Sequence, residues 1–232
     1  MKNIHQVVVA IPVRNEEALL PACLKSVAMA ISTLRQVYPG VRTCVVVALD
    51  GCTDGSGAVA LSSGNQIVTL AGVGVGATRD AAIVHGLSCL SGPQMTQTWL
   101  ACTDADTVVP PTWLVRQLMW ANSGMDLVVG TVEPFGLDDP RLLATWHSKH
   151  QLTEGHPHVH GANLGVRAST WSEVDGFGPR SAHEDVALVA RSRSHTSRWV
   201  ATDTTRVATS GRRVGRAESG FADYLGTLSV PQ

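Results

Sequence analysis

Two stretches of the chain, Val7-Val8-Val9-Ala10-Ile11 and Val45-Val46-Val47-Ala48-Leu49, are unbroken apolar runs rich in β-branched residues. Such runs mark strands covered on both faces, and therefore a parallel sheet with helices on each side. Between them, Leu19, Leu20, Cys23, Leu24, Val27, Ile31 and Leu34 recur at helical spacing. The spacing predicts a helix over 16–37 with Asn15 as its N-cap. Gly55-Ser-Gly57 punctuates the chain before a short helix, and Gln66 to Leu70 reads as a third strand. Gly76 to Leu90 reads as helix, Trp99 to Thr103 as strand, Pro111 to Ala121 as helix and Leu127 to Val132 as strand. The first 130 residues thus alternate β and α, which predicts an α/β fold with a mostly parallel central sheet.

The second half is less regular. His160 to Arg167 reads as a strand, Ala182 to Arg193 as a helix and Trp199 to Thr209 as a strand, with a mobile tail or flap expected after Gly211. One domain over residues 1–215, with a tail over 216–232, accounts for the pattern, because 232 residues bury one core comfortably. Within it, residues 1–130 form a regular half and 131–215 a less regular one. Eighteen basic residues balance 19 acidic ones, so binding to nucleic acid by bulk phosphate attraction is not expected. No apolar run reaches the roughly 18 residues of a membrane helix. The five cysteines form no C-x-x-C pair and are odd in number, which indicates neither a disulfide framework nor a zinc cluster. The expectation is a soluble cytoplasmic protein.

Ligands of open α/β sheets sit beyond the carboxyl ends of the strands. Asp50 ends the second strand, and Asp104 and Asp106 follow another as Thr-Asp-Ala-Asp. Alternating carboxylates of this kind can share Mg²⁺ or Mn²⁺ with substrate phosphates. Asp54 also reads as an Asx-turn residue.

With these residues in view, the chain resembles the family 2 glycosyltransferases, enzymes of the GT-A fold that use nucleotide-diphosphate sugars. The resemblance rests on Val9-Ala-Ile-Pro-Val-Arg-Asn-Glu-Glu17, Asp50-Gly-Cys-Thr-Asp-Gly-Ser56, Gly76-Ala-Thr-Arg-Asp-Ala-Ala82 and Thr103-Asp-Ala-Asp106. It continues through Gly161-Ala-Asn-Leu-Gly-Val-Arg167, Val174-Asp-Gly-Phe177 and His183-Glu-Asp185. The resemblance implies that Pro12, Arg14 and Glu16 line the nucleotide pocket. It implies that Asp50 accepts a hydrogen bond from the base and that Arg79 lies near base or diphosphate. Asp104 would approach the ribose and the metal, and Asp106 would bind the Mn²⁺ or Mg²⁺ that bridges the diphosphate. Asp185 would be the catalytic base, with Glu184 beside it in substrate binding, and Gly161, Asn163 and Trp171 would border the acceptor. Arg212 or Arg213 resembles the family's C-terminal diphosphate contact. The implied activity is metal-dependent, inverting transfer of a hexose from a nucleotide-diphosphate sugar, UDP-linked by family frequency, to an unidentified hydroxyl acceptor.

Several patterns compete. Asp185 and Glu184 also read as acids at a helix N-terminus. Gly72-Val-Gly74-Val-Gly76-Ala77 fits a dinucleotide fingerprint, but no acid lies about 20 positions on, and a flexible glycine loop bordering the donor is the better reading. A sugar-phosphate nucleotidyltransferase and a non-catalytic nucleotide-sugar binder stay open as alternatives. His156, His158 and His160 alternate as zinc ligands can. Pro157 argues against a strand there, so they are read as loop histidines near the acceptor. His195 is the only His after Asp185 that could add a third metal ligand, and His195-Thr-Ser-Arg-Trp199 matches a polysaccharide-synthase signature only by coincidence.

Overall fold

The computed structural model describes residues 3–92, 94–137, 139–150, 152–178, 182–215 and 220–228. The first half runs β1 (Gln6–Val13), α1 (Leu20–Val37), β2 (Arg42–Asp50), α2 (Ser56–Ser62), β3 (Gln66–Leu70), α3 (Val75–Cys89) and β4 (Thr98–Cys102). There follow β5 (Thr107–Val108), α4 (Trp113–Asn122), β6 (Leu127–Phe135), α5 (Pro140–Lys149), β7 (Leu164–Arg167), α6 (Ala168–Glu173), α7 (Glu184–His195), β8 (Trp199–Ser210) and α8 (Phe221–Thr227). One eight-stranded sheet has the order β3-β2-β1-β4-β7-β6-β8-β5. Strands β1 to β4 are mutually parallel where they pair, β7 runs against both β4 and β6, and β5 runs against β8.

The alternation along β1 divides the core. Val7, Val9, Ile11 and Val13 pack with α1 and α4 on one face, through Leu20, Val27, Leu34, Leu114 and Leu118. Val8 and Ala10 pack on the other face with Ala82 and Ile83 of α3 and Leu188 and Val189 of α7. All eight residues of β1 are buried, as a strand between two helical layers must be. A third cluster joins Leu142 and Trp146 of α5 to Leu225 of α8 and to Leu228. The stretch expected as a mobile tail therefore contains a short helix with an apolar face docked on α5.

Two expectations for local structure change. Helix α1 begins at Leu20 with Pro21 in its first turn, not at Glu16. Asn15 is not its cap: it lies in the left-handed region, φ 54°, and its side-chain oxygen accepts from the Thr53 amide at 2.8 Å. The segment expected as strand from His160 starts instead with a 3₁₀ turn over Gly161–Asn163, and β7 begins only at Leu164.

Asn163 is fixed by an irregularity in the sheet. Between Gly130 and Val132 the pairing of β6 with β8 jumps from Thr202 to Val207, so the ladder is interrupted. The Asn163 amide nitrogen donates to the carbonyls of Thr131 at 2.7 Å and Thr205 at 2.8 Å. Its oxygen accepts from the Trp113 indole at 2.9 Å. Buried carbonyls without ladder partners are costly, and one side chain satisfies both.

Candidate active site

The carboxyl ends of β1, β2 and β4 open into a cavity of about 800 Å³ that reaches α7 and α8. It collects Pro12, Arg14, Glu16, Asp50, Arg79, Asp104, Asp106, Gly161, Glu184 and Asp185 from six separate stretches of sequence. Six carboxylates face three arginines there, the third being Arg212. Another opening of similar volume, between α1 and α2, carries no carboxylate.

Arg79 is the pivot of one side. Helix α3 buries it to 2% exposure, where its guanidinium donates to Asp104 at 2.5 Å and to Glu184. Burial works against its charge, yet Asp104, Glu184 and Asp185 outweigh it and hold the arginine firmly protonated. Burial pushes the Glu184 carboxyl up, and Arg79 opposes that shift. Gly161 faces the same guanidinium so closely that a Cβ there would overlap it. Only glycine fits where this backbone passes.

That close approach positions Asp185. The Gly161 amide donates to one of its oxygens at 2.7 Å, and the Val186 amide to the other at 2.8 Å. Asp185 is thus both an acid at the N-terminus of α7 and a carboxylate on the cavity wall, half-exposed and able to accept further. His183, just before the helix, adopts φ 57°, which turns the chain into α7 with both acids inside its first turn.

Asp106 sits opposite, beside the edge strand β5. Its backbone carbonyl accepts from the Ser210 amide at 3.1 Å. Arg212 reaches its carboxylate at 2.9 Å and also grips Glu16 with two nitrogens, at 2.8 and 2.5 Å. Burial, then Asp104, raise the Asp106 carboxyl to about 6; Arg212 pulls the other way and Glu16 adds to the rise. Hard carboxylate oxygens are the ligands that Mg²⁺ and Mn²⁺ take. Asp104 and Asp106 therefore fit a divalent cation, although no group of three His, Cys, Asp or Glu among the described residues could hold one.

Asp50 lines the cavity and also holds the loop beside it. Its two oxygens accept from the amides of Gly72 at 2.7 Å, Val73 at 2.8 Å and Gly74 at 3.0 Å. The glycine loop is therefore pinned rather than flexible. Gly74 (φ 91°) takes a backbone shape that side chains rarely adopt, and its carbonyl accepts from the Thr78 amide as α3 begins. Asp54 is the Asx turn expected, accepting from Ser56 at 2.9 Å, and it also accepts from the Glu17 amide at 3.1 Å.

Three expectations fall outside the cavity. Asn163 is not among the residues lining the cavity; its side chain bonds the Thr131 and Thr205 carbonyls and the Trp113 indole instead. Trp171 lies on α6 and donates to Asp80 at 2.9 Å. His195 pairs with Glu173 at 2.8 Å, away from the carboxylates it was expected to join, and Arg198 pairs with Asp126. Arg212, by contrast, lies at the heart of the site. His158 and His160, read as loop histidines, line the cavity with His150 just after α5, whereas sequence reasoning missed Phe221 and Tyr224 of α8. No charge pattern marks them; only the aromatic and His residues clustered late in the chain gave a signal.

An open α/β sheet places its ligand site beyond the carboxyl ends of its strands, and carboxylates and arginines gather there in this chain. The family model for glycosyl transferase family 2 matches residues 8–170, and the chain belongs to that family. No curated protein sequence matches it. Among solved structures, S. aureus TarS (residues 1–349) superposes with a TM-score of 0.61 at 16% identity, covering 92% of this chain and 61% of that one. A mannosyltransferase from Pyrobaculum calidifontis in complex with GDP-Man and Mn²⁺ gives 0.64 at 16%, covering 97% and 69%. M. tuberculosis glucosyl-3-phosphoglycerate synthase gives 0.57 at 20%, covering 96% and 76%. At these identities the likeness establishes the fold, GT-A, and the chain spans only 61% and 37% of two TarS chains it matches.

Proposed function

We propose that the protein is a metal-dependent, inverting glycosyltransferase that moves a hexose from a nucleotide-diphosphate sugar, UDP-linked in first preference, to a hydroxyl. The observation that carries this reading is the arrangement of one cavity, with Asp104 and Asp106 at the β4 end and Asp185 at the α7 start. Pro12 and Arg14 border the nucleotide at the end of β1, and Asp50 shapes that side through the loop it pins. Asp106 and Asp104 would hold Mn²⁺ or Mg²⁺, which supplies positive charge for the diphosphate when bound.

The chain's own groups account for the rest. Arg212 stands between Glu16 and Asp106, where it offsets negative charge that develops on a leaving phosphate. Arg79 fixes Asp104 and Glu184 so that neither carboxylate swings. Asp185, oriented by the Gly161 amide, takes the acceptor proton as its oxygen attacks. A base facing the sugar opposite the leaving group makes this a single displacement, which inverts the anomeric carbon. The turn after β1 is Pro-Val-Arg-Asn, not the glycine-rich loop that a nucleotidyltransferase would place there.

Calorimetric titration with UDP and with GDP, each with and without Mn²⁺, tests the reading. Micromolar binding of one nucleotide that requires the metal is the expected result. Absence of binding to both would remove the donor-site assignment.

A further inference from the structure

A column of rings forms one wall of the cavity. Trp146 of α5, fully buried, stacks on His150 with centroids 4.2 Å apart and planes 6° from parallel. His150 meets His158 at 4.8 Å, His158 lies 6.3 Å from His160, and His160 meets Phe221 of α8 edge-on at 5.7 Å. Tyr224 sets its edge against His150 at 5.4 Å. Two neighbouring stretches, 146–150 and 158–160, and a distant one at 221–224 supply this column, and five of its rings line the same cavity as Asp106 and Asp185. His160 directly precedes Gly161, whose amide orients Asp185. The wall therefore lies next to the proposed base.

Its charge state is as informative as its place. Burial pushes His160 down to about 3, helped by the neighbouring imidazoles, and lowers His150 and His158 as well. At neutral pH the imidazoles carry no charge. The arginines of the lining, Arg14, Arg79 and Arg212, stand at the ends of β1, in α3 and after β8. Among the described residues, the ring wall itself contributes no Lys or Arg to the lining. An anionic acceptor would find no counter-charge on it.

We propose that this wall is the acceptor platform and that the acceptor is a neutral sugar, seated by its C–H face on the rings; this rests on the glycosyltransferase reading above. Aromatic faces carry negative charge density that attracts polarised C–H groups. Neutral imidazoles present one donor and one acceptor nitrogen at their edges, which suits a ring ringed with hydroxyls. A phosphorylated or carboxylated acceptor would gain no ion pair from these neutral rings.

Saturation-transfer NMR on the full chain tests the proposal, with maltose and cellobiose as neutral probes and 3-phosphoglycerate as the anionic one. Ring protons of at least one disaccharide receive saturation, with or without UDP and Mn²⁺. His158→Ala and Tyr224→Ala each reduce that signal by about five-fold, the loss expected for one ring contact. Nucleotide affinity, measured on the same samples, stays unchanged and shows that each variant is folded. Failure of both disaccharides, an undiminished signal in both variants, or displacement of the sugar by 3-phosphoglycerate would overturn the proposal. A wild-type protein that binds neither UDP nor GDP would instead sink the donor reading, and the nucleotide-free disaccharide signal would still decide the wall.

Discussion

Arg212 holds both carboxylate oxygens of Glu16 although 196 positions separate them in the chain. The same guanidinium reaches Asp106, so one side chain after the last strand ties together the ends of β1 and β4. Replacing it by Ala leaves Glu16 and Asp106 facing each other without a counter-charge. Nucleotide affinity is expected to fall at least ten-fold in Arg212→Ala, because a charge-assisted contact of this kind contributes about 1.5–3 kcal/mol. Calorimetry with UDP and Mn²⁺ measures it, and unchanged affinity would place the arginine outside the donor site.

Asp106 gives a pH signature. Its carboxyl titrates at about 6 instead of 3.8, so the folded protein holds this proton more tightly than the unfolded chain does. The group therefore favours folding at low pH, and that contribution disappears as pH rises through 6. In metal-free protein at pH 7.5 the ionised group costs on the order of 3 kcal/mol. Asp106→Asn should raise the apo Tm by several degrees at pH 7.5 and have little effect at pH 4. It should also abolish any Mn²⁺-induced rise in Tm. Thermal scans at both pH values, with and without Mn²⁺, check the sign.

Asp185→Asn retains the shape of the side chain and an oxygen for the Gly161 amide. Donor binding is expected to persist while transfer falls by roughly 10²–10⁴-fold, the range for loss of a general base. Single-turnover transfer alongside nucleotide titration separates the two. Normal turnover in this variant would remove Asp185 from the role of base.

Arg79→Met tests the buried pivot. It strands Asp104 and Glu184 beside an apolar side chain, and breaking a buried pair from one side costs about 3–5 kcal/mol. Urea denaturation should show that loss, with partial recovery in the double variant Arg79→Met, Glu184→Gln. A loss below about 1 kcal/mol would mean that water reaches the pair.

Asn163→Ala separates architecture from binding. Three buried hydrogen bonds vanish, at roughly 1–3 kcal/mol for each group left unsatisfied, so stability should fall sharply. Nucleotide affinity of the remaining folded protein should not move.

The parallel half of the sheet was legible because period and composition agree there. Val7–Ile11 and Val45–Leu49 have no polar residue to place on either face, and β3 falls on the residues expected of it. The carboxylates at strand ends were legible for the same reason, since a strand's end fixes what its next residues face. Asn163 was not, because its partners are the carbonyls of an irregularity between β6 and β8 that no local pattern records. Asp50 sits where the motif places it, yet three amides of a loop 22 to 24 positions away decide what its oxygens do. Helix α8 escaped notice since its few apolar residues make sense only against Trp146.

The position of Arg212 after β8 has a consequence for biosynthesis. The ribosome releases Glu16 and Asp106 long before it releases the residue that neutralises them. A nascent chain ending short of residue 212 therefore carries an acid-lined cleft in which Glu16 and Asp106 lack the counter-charge of Arg212. Helices α4 to α7 and strands β5 to β8 are all made between the acids and the arginine that joins them.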